Sequence, residues 1–103
     1  MYFGLYGKLV AKTGQAAQVV QILQRNLEAL KEAGCLLYIV NQQQDQPDVI
    51  WVTEAWQSSE HHQASLQLPE VRAAIAEAMP LLSGEFDQVK LDTLGGLGLP
   101  IEH

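Results

Sequence analysis

Apolar and polar or small residues alternate over residues 2–12, the period of a strand, and Gly4 and Gly7 mark places where a second backbone or a ligand comes close. After Thr13-Gly14 the period changes. Ala16, Val19, Val20, Leu23, Leu27 and Leu30 recur at helical spacing against Gln18, Gln21, Gln24, Arg25 and Glu28, which predicts one continuous helix closed by Gly34. Residues 35–41 and 49–56 then read as two strands, joined through the polar run 42–47 into a hairpin. Ser58 or Ser59 caps the next helix, and Pro69 opens another, because the residue before a proline avoids helical geometry. On that last helix Val71, Ile75, Met79 and Leu82 share a face, Pro80 kinks or ends it, and Gly84 closes the segment. In residues 87–94, Val89, Leu91 and Thr93 alternate against Gln88, Lys90 and Asp92 as in an edge strand, with Phe86 out of phase as at a bulge.

This order, β-α-β-β-α-β, predicts an α+β ferredoxin-like domain over residues 1–94, with a four-stranded antiparallel sheet and helices on one face. Residues 95–103 have no period and form a C-terminal tail. Strand three sets a condition on the assembly. It sends Ile50, Val52, Glu54 and Trp56 to one face and Val49, Trp51, Thr53 and Ala55 to the other, so neither face suits water. Helices cover one side, and a second copy is expected on the other, giving a two-fold homodimer in the form of a dimeric α/β barrel.

Composition narrows the partners. The chain has 103 residues, 48% apolar and 17% charged, with 6 basic against 12 acidic side chains for a net charge of -6. Without a basic cluster interleaved with aromatics, nucleic acid is excluded as a partner. Apolar runs at 35–40 and 49–52 fall far short of the roughly 20 residues of a membrane helix. The first residues lack a signal-peptide pattern, so a cytoplasmic location is expected. A lone cysteine, Cys35, allows no internal disulfide or cysteine-based metal cluster and is expected to be a buried structural residue.

Several short motifs, in order, resemble a known family. They are Gly34-Cys35-Leu36-Leu37-Tyr38; Glu54-Ala55-Trp56 followed by Ser58, Glu60 and His62; Leu66, Pro69 and Val71; Ala78-Met79-Pro80-Leu81-Leu82; and Gly95-Gly96-Leu97-Gly98. Together they are similar to the antibiotic biosynthesis monooxygenase domain family, small dimeric α+β barrel proteins that include cofactor-free quinol monooxygenases. The resemblance implies oxidation of a small phenol- or quinol-type aromatic by O2 with no metal or flavin: the substrate loses a proton and its anion reduces dioxygen directly. The chain departs from the pattern at Ala64-Ser65, where many members have Ala-His. The haem-degrading branch carries Trp and His at the positions of Ser65 and Ile75, so haem ligation does not carry over.

On this reading His62 is the candidate base, its ordinary pKa of about 6.5 suiting proton transfer near neutrality. Its spacing with Leu66 and Pro69 turns it inward, and His61 is a weaker candidate. Trp56 is the aromatic wall of a pocket. Glu54 orients a histidine or accepts a substrate hydroxyl, and amid Ile50, Val52 and Trp56 it either reaches the rim or needs a partner, an ion pair across the dimer with Arg72 or Lys8 being the plain alternative. Arg72 would face a phenolate, while Tyr6, Tyr38 and Asn41 would hydrogen-bond substrate oxygens. Plain packing serves equally well for Trp56, and a solvated position for His62 and Arg72. The competing function is a non-catalytic small-ligand-binding or interaction domain on the same dimeric scaffold, with haem binding and an isomerase-like role on a small ring compound behind it.

Overall fold

In the computed structural model, which describes residues 1–99, the alternating segments become β1 (Tyr2–Ala11), β2 (Cys35–Gln42), β3 (Val49–Trp56) and β4 (Leu82–Thr93). They form one antiparallel sheet in the order β2-β3-β1-β4, with β3 and β1 central. The fold is α+β and ferredoxin-like. The helices are α1 (Ala16–Leu23), α2 (Leu27–Glu32), α3 (Ser59–Ser65) and α4 (Pro69–Ala78). Ser58 caps α3, its Oγ accepting from the His61 amide at 3.2 Å, and Pro69 is the first residue of α4. A single 3-10 turn, Met79–Leu81, carries Pro80 between α4 and β4.

Two expectations are corrected. The first helix is not continuous: it breaks at residues 24–26, and Leu27, assigned to the apolar face, is 41% exposed. Asn26, a poor helix former, donates through Nδ2 to the Glu70 carbonyl at 2.9 Å, while Arg25 pairs with Glu77. Both ties fasten the break to α4, and they free α1 and α2 to pack at different places. The last strand starts at Leu82, five residues before the expected Asp87. Leu9 pairs with Phe86 but Ala11 with Leu82, so β4 holds two more residues than β1 across that interval, a bulge at Ser83, Gly84 and Glu85. Gly84, at φ +97°, lies within the strand and does not close a helix. Of the tail, residues 94–99 carry no helix or strand, and residues 100–103 lie outside the described residues.

The core forms as two clusters, both on the helix side of the sheet. One gathers Ala11, Ala16, Val19, Ile50 and Val52 beneath α1, with Leu81 and Leu82 packed on it. The other gathers Leu30, Cys35 and Trp56 beneath α2, joined by Phe3, Tyr38 and Val71. Among the described residues no helix lies over the opposite face. One row across it runs Val89, Tyr6, Thr53, Ile39, with Val89 53%, Tyr6 42% and Ile39 47% exposed.

The α2–β2 junction depends on Gly34. Its φ is +110°, its carbonyl accepts from the Gln57 amide at 3.0 Å, and an added Cβ would come within 2.7 Å of the His61 ring. Gly34→Ala is therefore expected to lower unfolding free energy by about 1–3 kcal/mol from backbone strain, with a further loss from the His61 clash. Gly84→Ala, where the space around a Cβ is open, carries the strain alone. Denaturant unfolding of the two variants checks the order.

Candidate active site

The end of β3 is the first element of the site. Because the strand alternates, Glu54 and Trp56 face the helices together, and the Trp56 indole is almost fully buried at 1% exposure. A buried indole N–H requires an acceptor, and Trp56 Nε1 donates to Glu54 Oε1 at 3.0 Å. Neither Arg72 nor Lys8 serves as the partner of Glu54 within the chain: Lys8 pairs with Glu85 at 3.3 Å, and Arg72 is exposed on α4. The cap at Ser58 then sets the phase of α3. It brings His62 over the sheet, with its ring 5.3 Å from Trp56 in an edge-on arrangement and 5.8 Å from Phe3.

Between the two core clusters lies a cavity of about 620 Å³, within the range of small-molecule sites and lined mainly by apolar side chains. Of the residues anticipated from the sequence, Glu54, Trp56, His62 and Tyr38 line it together. Tyr6, Asn41 and Arg72 do not. Tyr6 lies on the helix-free face, stacked on Trp51 at 5.2 Å, and Asn41 stands opposite Trp51 in the sheet. Arg72 is exposed and does not line the cavity, unlike its neighbour Val71. His61, whose Nδ1 is 2.6 Å from Ser58 Oγ, packs on Gly34 and is a structural residue. Leu66 lines the cavity beside His62, whereas Pro69 is exposed outside it.

Besides Glu85 and Gln88 on its exposed side, the cavity is lined by two polar residues not anticipated as site residues, Ser65, noted only where many family members have histidine, and Asn26. Ser65, one helical turn beyond His62, is 1% exposed and donates from Oγ to the His62 carbonyl at 2.6 Å. Its three-residue spacing from His62 on a capped helix was the available signal. Asn26 is the second, its amide already engaged with Glu70. Among the described residues no buried side-chain nitrogen or oxygen lacks a partner, and no three His, Cys, Asp or Glu side chains gather as a metal would require.

Burial tunes these groups in opposite senses. Glu54 is raised above its ordinary range because the carboxylate is desolvated, with the Trp56 hydrogen bond opposing that shift. The His62 imidazole is lowered, first by burial and then by the positive charge of Lys90. Tyr38 is raised by burial and by the nearby Glu54 charge, so it stays a phenol and offers a hydrogen bond. The Cys35 thiol is pushed up to about 11 by burial and by Glu54, which leaves it without nucleophilic character at neutral pH. The corner thus holds a neutral imidazole acceptor beside a carboxyl group that keeps its proton to higher pH than usual. Such a pair suits proton transfer.

Stability should report the same shifts. With its pKa raised on folding, Glu54 contributes stability that is full below its ordinary 4.5 and is lost as pH rises through the folded value. With its pKa lowered, His62 contributes stability that is full above its ordinary 6.5 and is lost as pH falls through the folded value. Glu54→Gln should therefore gain in melting temperature over the native chain as pH rises from 4.5 to neutrality, and should show little difference below 4.5. Thermal melts across that range check it.

Residues 3–77 match the family model described as antibiotic biosynthesis monooxygenase. A candidate antibiotic biosynthesis monooxygenase from Chloroflexus aurantiacus is 40% identical, with a TM-score of 0.81 over 97% of this chain and 100% of that one. One from Caulobacter crescentus, 22% identical, aligns over 91% of each chain with a TM-score of 0.82 and shows the shared fold. No match is found among curated proteins. The family match covers β1 through most of α4, the elements that carry Glu54, Trp56, His62 and Ser65, and with the 40% identical relative it shows that the chain belongs to the antibiotic biosynthesis monooxygenase family.

Proposed function

We propose that this chain is a cofactor-independent monooxygenase that oxidises a small phenol- or quinol-type aromatic with O2, working as a cytoplasmic homodimer. The observation that carries the reading is the convergence of Glu54, Trp56 and His62 at one end of a predominantly apolar cavity, in a chain of a monooxygenase family. An apolar cavity holds an aromatic ring, Trp56 bounds it, and the neutral His62 accepts the proton of a ring hydroxyl. Glu54, held by Trp56 beside the imidazole, accepts a hydrogen bond from a ring hydroxyl and so orients the ring. The electron-rich ring then supplies four electrons to dioxygen. One oxygen atom forms a new ring carbonyl, the other leaves as water, and the ring's hydroxyl and C–H hydrogens balance that water.

The helix-free sheet face supports the dimer. Its row of Val89, Tyr6, Thr53 and Ile39 presents apolar side chains that a second copy would bury, while the cavity lies on the other face and stays with each copy. The retained alternative, a non-catalytic ligand-binding domain, draws on Ser65, which stands where many members have histidine.

Two outcomes test this. Metal-free protein is expected to consume O2 with dihydroxynaphthalenes, His62→Ala lowering the rate by about 10²–10⁴-fold with its circular dichroism unchanged. In the native protein kcat/KM should rise with pH through a value below 6.5, where His62 loses its proton. Saturable binding with no oxygen uptake across the panel would leave the binding domain instead. Separately, Ile39→Asp should convert a dimer to a monomer in light scattering, and a dimer unmoved by it would place the interface elsewhere.

A further inference from the structure

The cavity is long as well as wide. Trp56 stands opposite Phe3 and Phe86 opposite Leu9, so six residues of β1 separate its two ends, about 20 Å at ~3.3 Å per residue. Helix α4 runs along that length, from Val71 beside the Trp56 cluster to Ala78, next to the turn whose Leu81 packs on the other cluster. The polar groups are unevenly placed. Glu54, Tyr38, His62 and Ser65 gather toward the Trp56 end, whereas Leu9, Val19, Ala78 and Leu82 line the far end. Two polar residues of β4, Glu85 and Gln88, border the Leu9 half, but both are exposed and the Glu85 carboxylate pairs with Lys8.

A one- or two-ring phenol spans well under half of this length. Seated with its hydroxyls at Glu54 and His62, it would leave the apolar half of the cavity unfilled. We propose that the substrate is an amphipathic quinol: its ring hydroxyls lie among Glu54, His62 and Ser65, and an extended apolar chain on the ring runs beneath α4 to Leu9, Ala78 and Leu82. This rests on the reading of the site given above and adds the chemical class of the substrate. The far end consequently determines specificity. Chain length is read there by burial, since each methylene removed from water contributes on its own.

The test is anaerobic titration calorimetry of the native protein with 1,4-naphthoquinols bearing methyl, butyl, octyl and dodecyl chains. The dissociation constant is expected to fall about fourfold per added methylene until the chain reaches the Leu9 end, and then to level off. Ala78→Leu fills that end from α4, and Met79→Trp, at a position 61% exposed and so tolerant of size, narrows it from the adjoining turn. Either variant should reduce the octyl-to-methyl affinity ratio at least tenfold. Equal affinities across the series, tightening only with added fused rings, or a ratio unmoved by both variants would overturn the inference. Because oxygen is absent, the result is separable from the proposed reaction. Chain-dependent binding without oxygen uptake would retain the ligand class and remove the monooxygenase; uptake without chain dependence would do the reverse.

Discussion

The arrangement of this protein depends on the Trp56 indole N–H finding an acceptor inside the fold. A side chain of this size removes on the order of 200 Å² from water, a large term in so small a domain, and the alternation of β3 sends it into the helix side of the sheet. There its N–H is costly unless bonded, and the acceptor is Glu54, two residues earlier on the same face. That bond holds a carboxyl group in surroundings its solubility would not choose. It also sets the wall against which the His62 ring stands edge-on. The proposed proton chemistry and the core packing therefore share one side chain.

The same constraint divides the core. With Trp56, Leu30 and Cys35 filling one end and Val19, Ile50 and Val52 the other, the layer between sheet and helices holds a cavity. Helix α4 bridges the two clusters, and the break between α1 and α2 is tied to it by Asn26 and Arg25. The cavity and the residues of the candidate site lie on this side. The other face, with Tyr6, Trp51 and Ile39, has the composition of an assembly surface.

Much of this was legible in the sequence because strand alternation is a strong local signal. The bounds of β3, the Ser58 cap and the start of α4 at Pro69 all follow from residue types within a few positions of each other. The failures came where tertiary contacts decide. Residues 14–34 have an unbroken helical period, and only the bonds of Asn26 and Arg25 to α4, more than forty residues away, explain the break. Ser83, Gly84 and Glu85 look like a loop, and pairing with β1 across a bulge is what extends β4 through them. At the site, Glu54, Trp56 and His62 were found from face and spacing. Tyr6 and Asn41 were assigned by chemical type alone, and strand parity puts both on the helix-free face. Ser65 was read only as standing where many family members have histidine, because its hydroxyl gains a role of its own only from burial against the His62 carbonyl.

The central claim, that Trp56 organises a buried proton-transfer corner, is tested most directly by nuclear magnetic resonance titration of the His62 imidazole and the Glu54 carboxyl in the native protein and in Trp56→Phe. The expected result is a His62 that titrates below 6.5, a Glu54 that titrates above 4.5, and a further rise of Glu54 in the variant, where the indole donor is gone. Ordinary titration of both groups, with no response of Glu54 to the loss of Trp56, would contradict it.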